Sequence, residues 1–131
     1  MDTVTLGQGG PPVSRAGLGL TGMSGIYGPA DRAESIATIR AALGAGITLL
    51  DTGDFYGMGH NELLPAQALR GVRRHSVFIQ VKFGGQRDPG SAFLGFDASP
   101  AAVKTSLAVP AGQVAGDRYD PRAMASLDSE H

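Results

Sequence analysis

The run Ile47-Thr48-Leu49-Leu50-Asp51 decides the fold. It is short, apolar and partly β-branched, it follows a helical stretch after a brief turn, and its last residue is a carboxylate. Such a run reads as a buried parallel strand, because a strand covered on both faces loses the polar alternation of a half-exposed one. On its amino-terminal side Asp31 is a good N-cap, and Ala33, Ile36, Ile39 and Leu43 recur at spacings of three and four. That spacing predicts a helix closed by Gly44 and Gly46. Further back, Ala16-Gly17-Leu18-Gly19-Leu20 predicts another buried strand, leading into a glycine-rich loop where something can approach the backbone. Val4-Thr5-Leu6 and Val13-Ser14-Arg15 flank a Gly/Pro-rich connection and predict a small hairpin.

On the carboxy-terminal side the same alternation continues. Asn61 is positioned to cap a second helix, with Glu62 in its first turn, Leu64, Ala68 and Leu69 on its apolar side and Pro65 near the tolerated start. Residues 76–83 predict a strand with Val77, Ile79 and Val81 on one face and Phe78, Gln80 and Lys82 on the other. Residues 84–97 read as a long loop, after which Ser99-Pro100 opens a third helix over 101–108. From Val109 the chain reads as irregular, with two helical turns over 120–127. Alternating strands and helices imply an α/β fold with parallel strands and right-handed crossovers.

Composition narrows the function. The 131 residues include 20 Gly and 8 Pro and carry a net charge of −1, with no basic patch, which argues against nucleic acid or an anionic membrane as partner. The absence of cysteine excludes disulfides, thiolate metal sites and cysteine nucleophiles, and fits a cytoplasmic protein. Neither a signal-like amino terminus nor an apolar run approaching about 18 residues is present. His60 has no second ligand at helical spacing, so it reads as a polar loop residue and no metal is expected.

In α/β folds ligands bind at the carboxyl ends of the strands. Asp51, Tyr56 and Lys82 collect there, and Asp51 and Lys82 fall on the same face of neighbouring strands. A lysine cation beside a phenol stabilises the phenolate and makes the phenol a readier proton donor, as general-acid work on a carbonyl requires. Reducing a carbonyl also needs a hydride, which no side chain supplies, so a nicotinamide cofactor is expected.

The string Asp51-Thr52-Gly53-Asp54-Phe55-Tyr56-Gly57-Met58-Gly59-His60-Asn61-Glu62, with Gly17-Leu18-Gly19, residues 23–29 and Val81-Lys82-Phe83-Gly84, resembles the aldo-keto reductase family over about residues 4 to 108. The resemblance implies an incomplete (β/α)8 TIM barrel of about three βα units preceded by a β-hairpin. It implies NADPH-dependent reduction of a small-molecule aldehyde or ketone. Asp51, Tyr56 and Lys82 match three catalytic residues, with Tyr56 as proton donor, and Gly19, Leu20, Thr21 and Asp51 match cofactor-binding positions.

Two departures accompany these matches. Nothing corresponds to the family's fourth catalytic residue, a histidine, or to strands four to eight. Residues 109–131 look like the family's carboxyl terminus, so the chain resembles an amino-terminal part, residues 1–108, joined to a tail with the middle missing. Impaired turnover is the expectation for such a chain. The alternatives are a non-catalytic remnant that self-associates or pairs with a full-length relative through open sheet edges, and the product of a gene deletion.

Overall fold

In the computed structural model, residues 1–106 are described. The tail over 109–131, its helical turns over 120–127 and the end of the predicted third helix lie outside the described residues.

The predicted hairpin forms from β1 (Thr3–Thr5) and β2 (Pro12–Ser14), paired antiparallel with Val4 opposite Val13. Next comes β3 (Gly17–Gly19), then a 3-10 turn over Thr21–Ser24 and the helix α1 (Arg32–Gly44). Asp31 is the N-cap expected of it: its backbone is extended and its carboxylate accepts the Glu34 amide hydrogen at 2.8 Å. The buried positions of α1 are Ser35 and Ile39, with Ile36 and Leu43 partly covered, whereas Ala33 is exposed.

The central strand β4 spans Leu49–Gly53, two residues later than the apolar run suggested. The shift has a local cause. Thr48 is engaged by the hairpin, its amide donating to Ser14 Oγ and its hydroxyl accepting the Ser14 amide, both at 2.8 Å. Asp51 therefore lies in mid-strand rather than at the end. Helix α2 (His60–Ala68) starts one residue before the predicted cap, so Gly59 is the N-cap and Asn61 belongs to the first turn. Pro65 then lies inside the helix, where its missing N–H leaves the ladder one donor short.

Strand β5 (Phe78–Lys82) completes a three-stranded parallel sheet in the order β3, β4, β5. Leu20, Leu50 and Val77 from the sheet side meet Ile39 of α1 and Leu64, Ala68 and Leu69 beside α2 in one buried cluster. Leu50 faces that core, so the two-residue period of a strand sends Asp51 to the opposite face.

Residues 84–97 are not a plain loop. They contain an antiparallel hairpin, β6 (Gly85–Arg87) and β7 (Phe93–Phe96), turned at Asp88 to Ser91. Asp88 stabilises that turn by accepting the Ala92 amide hydrogen through Oδ1 at 2.8 Å. Phe93 and Phe96 stack edge to face with centroids 5.0 Å apart, yet both are exposed. Residues 100–106 are helical, and the Ser99 hydroxyl accepts the Ala102 amide hydrogen at 3.3 Å. That places Ser99 at the helix start that the Ser-Pro pair predicted.

Candidate active site

The site is built by strand register. In the β4–β5 ladder Leu49 pairs with Phe78, Asp51 with Gln80 and Gly53 with Lys82. Asp51 and Lys82 thus share a face, and the Lys82 ammonium reaches Asp51 Oδ2 at 2.5 Å. Their side chains are 32% and 41% exposed, so the pair adds little to stability, typically ~0–1 kcal/mol. Its consequence is geometric. The same ammonium lies 5.7 Å from the centroid of the Tyr56 ring, within cation–π range. Burial alone would lower the Lys82 pKa, but the hydrogen bond and charge of Asp51, with a smaller contribution from Tyr56, outweigh it and hold the ammonium above the usual lysine value.

Tyr56 is buried, 7% exposed, and its place depends on two neighbours. Phe55 meets it edge to face at 4.8 Å. Gly53 lies directly under the ring: a Cβ there would come within 3.2 Å of the Tyr56 ring carbons. A side chain at position 53 would fit only if the Tyr56 ring gave way by a few tenths of an ångström. The loop then turns into α2 through Gly57, whose φ of +59° suits glycine and whose Cβ would crowd Ser24 at 3.1 Å.

The positions matched to cofactor binding are brought beside this cluster. Gly19 pairs with Asp51 across the β3–β4 ladder, and the Leu20 amide donates to the Asp51 carbonyl at 2.9 Å. The Leu20 side chain is wholly buried in the core, so only its backbone can face a ligand. Thr21 opens the 3-10 turn. A Cβ at Gly19 would meet nothing within 4 Å, which leaves open space beside that backbone. Asp51 Oδ1 is buried without a hydrogen-bond partner, an acceptor left over after Oδ2 has taken Lys82.

Sequence reasoning missed Gly53, Ser24 and the role of Asn61. The signal for Asn61 was its place in the first turn of a helix, which suggests a cap as readily as a core contact. In the structure its amide is wholly buried and bonds Thr52, Leu20 and Ser24. His60, read as a loop residue, is instead the first residue of α2, and its Nδ1 lies 3.1 Å from Ser24 Oγ. Among the described residues no group of three or more His, Cys, Asp or Glu side chains is placed to hold a metal ion. No helix among them is long and apolar enough to cross a membrane.

Known proteins resemble this chain in sequence and fold. The profile of the Aldo/keto reductase family matches residues 15–120. A curated aldo-keto reductase of Glycine max is 42% identical over 82 residues, which cover 62% of this chain and 24% of that protein. Among solved structures, the holo form of an aldo-keto reductase from Bacillus halodurans superposes with a TM-score of 0.78 at 28% identity, covering 92% of this chain and 38% of that one. An aldo-keto reductase from Pseudomonas aeruginosa gives 0.72 at 30% identity, covering 90% and 44%. The chain therefore spans about a quarter of the curated relative's length and about two fifths of these solved barrels, and its α/β fold is that of an incomplete barrel.

Beside the cluster, Glu62 is 1% exposed and its Oε1 has no partner. Burial, and then the charge on Asp54, push its carboxyl from 4.5 up to about 7. The folded state therefore holds the Glu62 proton more tightly than the unfolded chain. This contribution to stability is complete below pH 4.5 and declines as the pH rises to about 7. Glu62→Gln, which needs no proton, should gain stability relative to wild type across that window, by about 1–3 kcal/mol at its upper end. Urea denaturation of both proteins at a series of pH values measures it; a constant difference would contradict the assignment.

Proposed function

This chain belongs to the aldo/keto reductase family, and from that membership we propose that Asp51, Tyr56 and Lys82 form the catalytic centre for NADPH-dependent reduction of small aldehydes and ketones. The observation that carries the reading is the Lys82 ammonium held between Asp51 Oδ2 and the Tyr56 ring. A nicotinamide dinucleotide fits the residues present. Gly19, Leu20 through its backbone, Thr21 and Asp51 would hold it, with Asp51 Oδ1 free to accept a hydroxyl hydrogen. When bound, the cofactor supplies the hydride that reduces the carbonyl carbon.

The protein's own part is to deliver a proton. Tyr56 Oη donates to the carbonyl oxygen as that oxygen becomes an alcohol, and solvent later restores the phenol. Lys82 stabilises the phenolate left behind, and Asp51 keeps Lys82 in place. The 131-residue chain alone works slowly, because no residue matches the family's fourth catalytic histidine. Losing one donor to a developing oxyanion typically costs about 10²–10³ in rate.

The test is to mix the chain with NADPH and a generic aldehyde and follow the reduced-nicotinamide absorbance. Slow turnover that falls at least ~10²-fold further in Tyr56→Phe is expected. Turnover indifferent to Tyr56→Phe would remove the proton-donor role, and rapid turnover would contradict the impairment.

A second reading rests on the sheet edges. Among the described residues β3 and β5 each pair on one side only, and Phe93, Leu94 and Phe96 are 54%, 66% and 81% exposed. Such edges and apolar residues favour pairing with a second copy or a longer relative. Size-exclusion chromatography with light scattering should show a dimer or larger; a monodisperse monomer would count against it.

A further inference from the structure

We infer that Asn61 is a positioning residue, which holds the turn after β3 against the strand and loop that carry Asp51 and Tyr56. The inference rests on the proposed carbonyl-reducing function and adds a residue that touches none of the reacting groups.

Four segments meet at Asn61. Its Nδ2 donates to the Leu20 carbonyl and to Ser24 Oγ, both at 2.7 Å, and its Oδ1 accepts from the Thr52 hydroxyl at 2.6 Å. A carbonyl can only accept, so the Leu20 contact fixes which end of the amide faces it. The Asn61 backbone N–H donates to the Tyr56 carbonyl at 3.3 Å. Residue 61 thus joins the backbone at 20, the turn at 24, the strand position next to Asp51 and the tyrosine loop.

The turn shares its anchoring between this grip and one apolar contact. No residue of Thr21–Ser24 is fully buried, and Met23 alone packs, partly buried, against the core cluster. Within it the Met23 amide bonds the Leu20 carbonyl at 2.9 Å, the same oxygen that Asn61 holds. Ser24 is gripped twice, by Asn61 and by His60. Without the Asn61 donors the Leu20 carbonyl keeps only the Met23 amide, from the turn itself, and Ser24 Oγ keeps only His60. Each lost bond typically contributes about 0.5–1.5 kcal/mol, and their loss frees residues 20–24 to shift beside Asp51.

The test uses the full chain, labelled for amide NMR, with nicotinamide mononucleotide and adenosine monophosphate as separate probes. Asn61→Asp keeps the acceptor for Thr52 and removes both donated bonds. Ser24→Ala removes one acceptor at a partly exposed site and keeps the test available should the buried carboxylate of the first variant prevent folding. Nicotinamide mononucleotide should shift the Gly19–Thr21 amides of the wild type. Its affinity should fall about tenfold in Asn61→Asp and about threefold in Ser24→Ala, while the response to adenosine monophosphate stays unchanged. Met23 amide exchange should quicken more in Asn61→Asp than in Ser24→Ala. A folded variant that binds the nicotinamide probe as the wild type does and protects Met23 equally overturns the inference alone. A wild type silent toward the nicotinamide probe overturns the functional reading, and the inference with it.

Discussion

Everything at this site depends on the parallel register of β4 against β5. Asp51 opposite Gln80 and Gly53 opposite Lys82 place a carboxylate and an ammonium on one sheet face, two residues apart along the ladder. A slip by one residue would send one of the two into the apolar core. The register is protected from both sides: Leu50 is wholly buried between the sheet and the two helices, and the Asp54 amide continues the ladder by donating to the Lys82 carbonyl at 3.0 Å. The charged pair is too exposed to hold the strands together, so the strands hold the pair.

Below the charged pair lies a second, uncharged layer. Thr52 faces the interior because it follows Asp51 in a strand, and there it meets Asn61, which in turn holds Ser24 and the Leu20 carbonyl. This network is buried around Asn61, and its bonds are short and mutually oriented. Neutral hydrogen bonds in a dry interior position groups more rigidly than a half-solvated ion pair. Glu62, next along α2, has no such partner for its Oε1, and its raised pKa is the cost of that position.

Much of the fold was legible because its signals are local. Asp31 as N-cap, the hairpin at the start and the order of the parallel strands follow from capping, turn residues and apolar runs. The β4 boundary was misplaced because Thr48 is claimed by Ser14, a contact spanning 34 residues that no local window contains. The β6–β7 hairpin was missed because its strands are short and three of its apolar residues face outward, so neither alternation nor a core-facing stripe marks it. For the site, the residue types and spacing suggested Asp51, Tyr56 and Lys82, while the motif linked them to one family. Gly53 and Asn61 stayed hidden because their roles concern space under a ring and a buried amide, and both are properties of the folded chain.

The central claim is that Asp51 and Lys82 act as one unit beside Tyr56, and the Lys82 side chain reports on it directly. Titration of the Lys82 ε-carbon by NMR in wild type and Asp51→Asn is the decisive measurement. The account predicts a wild-type ammonium that titrates above the usual lysine value and moves down when Asp51 loses its charge. An identical titration in both proteins would contradict it.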